Sequence, residues 1–149
     1  MNLERLIERI KKEESFSATS FWDDAPGGGG GQWSWGYGTK APGPDCTITK
    51  ALATEELIAV VQASFADAHE IFPMFSSFDE VRQECLVDML YNLGETRFRG
   101  FRKLIRAINK IPPDFLEAAY QAQDSIWYGQ VSNRSKRIVK ELATGVMTP

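Results

Sequence analysis

Two carboxyl groups nine positions apart, Glu14 and Asp23, are the side chains of this 149-residue sequence best suited to do chemistry. Glu14 falls where a charged, amphipathic N-terminal segment runs out. Asp23 follows in an aromatic stretch, and a turn between them could set both on one lip of a groove. Such a pair can divide general acid and general base work, provided that one member holds its proton and the other does not. Trp22, Trp33, Trp35 and Tyr37 lie close by in sequence, and flat amphipathic rings suit the faces of sugars. Spacing alone leaves a plainer reading open, in which Glu13, Glu14, Asp23 and Asp24 are solvated surface charges and the rings are hairpin core.

Other chemistries lack their parts. A metal site needs clustered His, Cys or carboxylate ligands, and the sequence has one His and two Cys set 39 positions apart. No metal or cofactor is expected. His69 is expected on a helix surface, and a lone His leaves a Ser-His-Asp or Cys-His catalyst without a base. Cys46 and Cys85 are expected as reduced, partly buried thiols. The glycine run from Gly27 to Gly31 lacks the Gly-Lys-Ser/Thr ending of a phosphate loop and leads into an aromatic strand, so it implies no nucleotide. Asn133-Arg134-Ser135 fits a glycosylation sequon, which matters only in a eukaryotic secretory protein.

The elements that must position these residues can be read from periodicity. Leu3, Leu6, Ile7 and Ile10 repeat at helical spacing among charges, which predicts a helix ending at Glu13 or Glu14. Trp33, Trp35 and Tyr37 then alternate at period two, predicting a β-hairpin across 19–40. Its arms are joined by Pro26 and the glycine run, a linker expected to be mobile. Thr49 caps a helix carrying Leu57, Val61, Phe65 and Ala68 and stopping before Pro73. Ser77 and Glu80 read as a capping box for a helix from Phe78 to Gly94, apolar over a wide arc and expected to be the most buried. Shorter helices are expected over Phe98–Asn109, over Pro113–Gln123 with Pro in its first turn, and over Ser132–Thr144 closed by Gly145. The sum is α+β.

Length and composition, 43% hydrophobic and 25% charged, fit one soluble domain with a core that needs no disulfide. No apolar run approaches a membrane span, and the charged start suggests neither a signal peptide nor an anchor. The net charge of −3 hides a split of −9 over residues 1–96 and +6 over 97–149. That dipole is no nucleic-acid footprint, although the basic half could face an anionic polymer across a cleft.

Three motifs in order then resemble a known family. The N-terminal helix, Glu14, Phe21-Trp22-Asp23 and Ser34-Trp35-Gly36-Tyr37-Gly38-Thr39 resemble the catalytic entry of phage-type lysozymes, the T-even phage lysozyme and related endolysins. Met89-Leu90-Tyr91-Asn92-Leu93-Gly94-Glu95-Thr96 leading to Gly100-Phe101 resembles the family's central helix and following turn. Trp127-Tyr128-Gly129-Gln130 with Asn133-Arg134-Ser135-Lys136-Arg137 resembles its C-terminal signature. The likeness is weakest between Ala41 and Phe78.

The resemblance implies one lysozyme-like domain over 1–149, with a hairpin lobe at about 15–45 joined by a long helix to a helical lobe made of about 70–149 plus the N-terminal helix 2–14. It implies a peptidoglycan glycan strand in the cleft and hydrolysis of the β-1,4 bond between N-acetylmuramic acid and N-acetylglucosamine. By position Glu14 would be the general acid, Asp23 an ionised partner that directs water, and Ser34 the counterpart of a Thr that helps to hold that water. Tyr91, Asn92, Arg134 and Trp35 would bind substrate, Arg134 by approaching the acid. An inverting outcome would want the carboxyls roughly 6.5 to 9.5 Å apart. Two departures stand out: ten residues separate Asp23 from Ser34 where the family has about five, and Ser15 follows Glu14 where Gly is common. The alternatives are a lytic transglycosylase, which Asp23 argues against, and a non-catalytic glycan-binding module. A monomer is expected, made in a bacterial cytoplasm without stable membrane insertion and acting in the periplasm.

Overall fold

The computed structural model describes residues 1–24, 30–131 and 133–149. Helix α1, Leu3–Glu14, starts where the Asn2 side chain accepts from the Arg5 amide and buries Leu6, Ile7 and Ile10, the stripe its spacing predicts. It ends abruptly. Ser15 takes φ 58° and ψ 158°, a conformation that side-chain-bearing residues avoid, and the chain turns from helix into sheet within one residue.

The expected hairpin is a three-stranded antiparallel sheet in the order β1-β2-β3, with β1 at Ser17–Asp24, β2 at Gly31–Gly36 and β3 at Thr39–Lys40. Gly31 belongs to β2, not to the linker, and the expectation of mobility for Pro26 to Gly29 lies outside the described residues. Asp23 pairs with Gln32 and Phe21 with Ser34, but the register slips between Ser17 and Phe21. There β1 turns to the segment after β3: the Ser20 amide donates to Cys46 O at 2.8 Å and the Ile48 amide to Ala18 O at 2.9 Å.

Helix α2, Lys50–Ile71, is capped by Thr49 as expected and stops before Pro73. Its 22 residues span roughly 33 Å at 1.5 Å each, so it packs on β2 and β3 and also on α3. His69 is exposed on it, edge-on to Phe65 and Phe75. A 3-10 turn at Phe75–Ser77 follows. Helix α3, Glu80–Leu93, is the buried centre, with Cys85, Leu86, Val87, Met89, Leu90 and Leu93 all covered. The capping box was misplaced. Ser77 bonds back to Met74 O inside the 3-10 turn, and Asp79 caps the helix through the Arg82 amide at 3.0 Å. Asp79 wins because it holds the extended backbone that a cap requires.

The helix expected over Phe98–Asn109 is broken at Gly100 into α4, Glu95–Arg99, and α5, Arg102–Ile108. Helix α6, Phe115–Gln123, starts after Asp114, which caps it through the Glu117 amide and leaves Pro113 outside. A six-residue helix α7, Ile126–Val131, went unread, since its motif is too short for periodicity to show. Ser132 lies outside the described residues, and α8 runs Asn133–Thr144 to Gly145 at φ 69°. The small sheet beside a larger set of helices is the α+β layout anticipated. No helix among the described residues is long and apolar enough to cross a membrane.

Candidate active site

Glu14 is the last residue of α1, so its carboxyl projects from the helix end into the groove between sheet and helices. That groove encloses ≈ 890 Å³, at the upper end of the range for clefts that take small ligands. Glu14, Asp23, Tyr91, Asn92 and Arg134 all line it, from α1, β1, α3 and α8. Five of the seven residues singled out from the sequence therefore meet in one place.

Glu14 is not a solvated surface charge: its side chain keeps 18% of its exposure. The turn between β2 and β3 presses Gly38 against Glu14 Oε2, leaving no room for a β-carbon. Burial pushes the Glu14 carboxyl above the ordinary glutamate range; Arg134 pulls it back in part, while Asp88 and Asp23 add to the rise. Asp23 is half-buried. Burial and the neighbouring Asp24 charge lift its carboxyl as well, against a hydrogen bond from Ser34.

Arg134 is no plain surface cation, with 6% side-chain exposure. Its Nη1 donates to Glu14 Oε1, and its Nε and Nη2 donate to Asp88 Oδ1 at 3.0 and 2.6 Å. Asp88, on α3, has 1% exposure and also accepts from Arg137 Nη2 at 2.5 Å. Burial works against the Asp88 charge, but Arg134 and Arg137 outweigh it and hold the carboxyl below the usual aspartate range. Arg137 reaches on to Glu13 at 2.9 Å and Glu141 at 3.0 Å. Arg9 Nη2 meets Glu141 from the other side at 2.9 Å.

The α3 wall is fixed by neutral bonds. Tyr91 donates to Tyr37 O at 2.7 Å, and Asn92 Oδ1 accepts from the indole of buried Trp127 at 2.8 Å. Two expected residues sit elsewhere. Ser34 is fully buried behind Asp23, with its hydroxyl between that carboxylate and Gln32 Nε2, which donates to it at 3.3 Å. Trp35 does not line the groove. One residue beyond Ser34, strand alternation turns its ring to the opposite face. There its indole donates to Glu56 Oε1 at 2.9 Å, beside the Thr39 hydroxyl at 2.7 Å. Glu56, Asp88 and Arg137 were missed in the sequence. Asp88 had left one signal, an acid set between Val87 and Met89 in the helix expected to be the most buried.

The arrangement can hold one carboxylic acid against a second carboxyl across a polar groove, which is a set for acid–base work on a bond lying between them. Among the described residues no cluster of three His, Cys, Asp or Glu side chains is placed to bind a metal.

Comparison with known proteins is consistent with this geometry. No family model matches the chain. It is similar to two proteins of Dictyostelium discoideum, "Probable T4-type lysozyme 1", at 23% identity over 93 residues, 62% of this chain and 54% of that protein, and "Probable T4-type lysozyme 2", at 24% identity over 84 residues, 56% of this chain and 48% of that protein. The chain spans about half the length of these curated relatives. Fold and similarity together show a distant, lysozyme-like relationship.

Proposed function

We propose that the protein is a muramidase, hydrolysing the β-1,4 bond between N-acetylmuramic acid and N-acetylglucosamine in peptidoglycan. One observation carries the reading: Glu14, its carboxyl raised by burial, lines the same groove as Asp23 and senses its charge. Glu14 gives its proton to the glycosidic oxygen as the C1–O bond breaks, and positive charge develops at C1. Asp23 takes a proton from the water that attacks C1. The new hemiacetal hydroxyl completes the product; Asp23 then releases its proton to solvent and Glu14 takes one back, so both groups return to their starting forms with no net proton consumed. Ser34 acts on Asp23 instead of on the water: donating to the carboxylate favours its ionised form and sets its rotamer.

Arg134 and Asn92 sit in the groove as donors for glycan hydroxyl and acetamide oxygens. The test is loss of turbidity of purified peptidoglycan, with mass analysis of the fragments, for wild type beside Glu14→Gln. Wild type should release products heavier by one water, and Glu14→Gln should release none while keeping its fold. Anhydro products lacking that water would make the enzyme a lytic transglycosylase. Binding without any cutting would make the chain a glycan-binding module.

A further inference from the structure

Arg134 poses a physical problem for a catalytic acid. A guanidinium against Glu14 favours the carboxylate, the form that cannot donate, and alone it would lower the proton affinity that the reaction needs. The charges around the site resolve this. Asp23 faces Glu14 from β1, Tyr91 and Asp88 from α3, and Arg134 from α8. Glu13 is its neighbour on α1 and meets Arg134 and Arg137. Behind Asp88 stand Cys85 and Glu141, the latter answered by Arg9. Two cations, Arg134 and Arg137, therefore face two carboxylates, Asp88 and Glu13, before Glu14 is counted. An ionised Glu14 must share Arg134 with Asp88 and Glu13.

The geometry shows how the cation is divided. Arg134 commits Nε and Nη2 to Asp88 Oδ1 and offers Glu14 only Nη1. Asp88 is covered by protein, where a charge pair is little screened, while Glu14 opens onto the groove. We propose that Asp88 is a positioning residue for Glu14, anchoring the Arg134 fork from behind so that the acid receives one hydrogen bond in place of a full bidentate pair. Arg134 is thus fixed as a donor that orients the Glu14 carboxyl, with most of its charge answered by Asp88. Asp88 touches no substrate and acts through Arg134. The inference rests on Glu14 being the acid of the proposed reaction.

Asp88→Asn keeps the shape and removes the charge. Glutamate-selective 13C NMR should find the Glu14 titration midpoint lower by about one pH unit. The alkaline limb of kcat/KM on soluble peptidoglycan fragments should move down with it, a roughly tenfold loss above both limbs. A purely structural Asp88 would lower stability and activity at every pH with the midpoint unmoved, and that result overturns the proposal. Should Asp88→Asn not fold, a crystal structure of Glu14→Gln decides: Arg134 still forked on Asp88 supports it, and Arg134 released into the groove overturns it. The NMR titration contains no glycan. A shifted midpoint in a chain that cuts no peptidoglycan would keep this inference and remove the muramidase reading, whereas an active chain with an unmoved midpoint would do the reverse.

Discussion

A β-carbon on Gly38 would fall well inside contact distance of the Glu14 carboxylate oxygen Oε2, so the carboxylate would have to move aside. The Gly38 φ of +88° is a second reason for glycine here. The turn cannot retreat, because the Gly38 amide donates to Trp35 O at 3.0 Å and Tyr91 holds Tyr37 O from α3. Gly38→Ala should therefore displace the acid while the core remains intact. Activity on peptidoglycan should fall on the order of 100-fold, the scale of a 1 Å misplacement, with an unchanged circular dichroism spectrum. Near wild-type turnover would mean that the Glu14 position is not set by this turn.

Ser34→Ala removes the hydroxyl that donates to Asp23. With that support gone, burial and Asp24 push the Asp23 carboxyl higher still, and the ionised form appears only at higher pH. The acid limb of kcat/KM should move upward while the alkaline limb, governed by Glu14, stays in place. A full pH profile of both proteins checks this.

What the sequence disclosed and what it hid divide along a physical line. Helix α1 and the Thr49 cap are local, written in spacing and in one polar side chain, and both stand where the pattern put them. Glu14 and Asp23 stood out by type and spacing, Tyr91, Asn92 and Arg134 only by motif resemblance, and all five share one groove. Trp35 misled because proximity in a strand is not proximity in space: adjacent residues face opposite ways. Asp88 and Arg137 were silent for another reason. Their meaning lies in an ion-pair network joining α1, α3 and α8, and no periodicity records contacts between residues up to 132 positions apart.

Stability should change with pH in two opposed ways. Asp88 and Glu141 are held below their ordinary ranges, so their contribution is fully present above about pH 4 to 5 and is lost as the pH falls through their folded values. Glu14 and Asp23 are raised, so folding favours their protonated forms, and that share is lost as the pH climbs through their folded values. Thermal unfolding from pH 3 to 8 should show a maximum in mildly acidic buffer and collapse on the acid side. Glu14→Gln should raise Tm at neutral pH and weaken the decline above the maximum.

Ser15 carries its strain one residue from the acid. Ser15→Gly should stabilise the fold by about 1 kcal/mol, the low end of the cost of such a conformation. Urea denaturation is the direct check, and an unchanged or lowered midpoint would show that the backbone there is not strained.

The acid and its anchoring cation are separated by 120 residues of chain. A ribosome must have emitted α8 before Glu14 meets Arg134, so every nascent form short of that point carries the Glu14 carboxyl without the guanidinium that holds it. The groove is therefore closed only once α8 has emerged and packed, because until then it lacks the wall that Arg134 supplies.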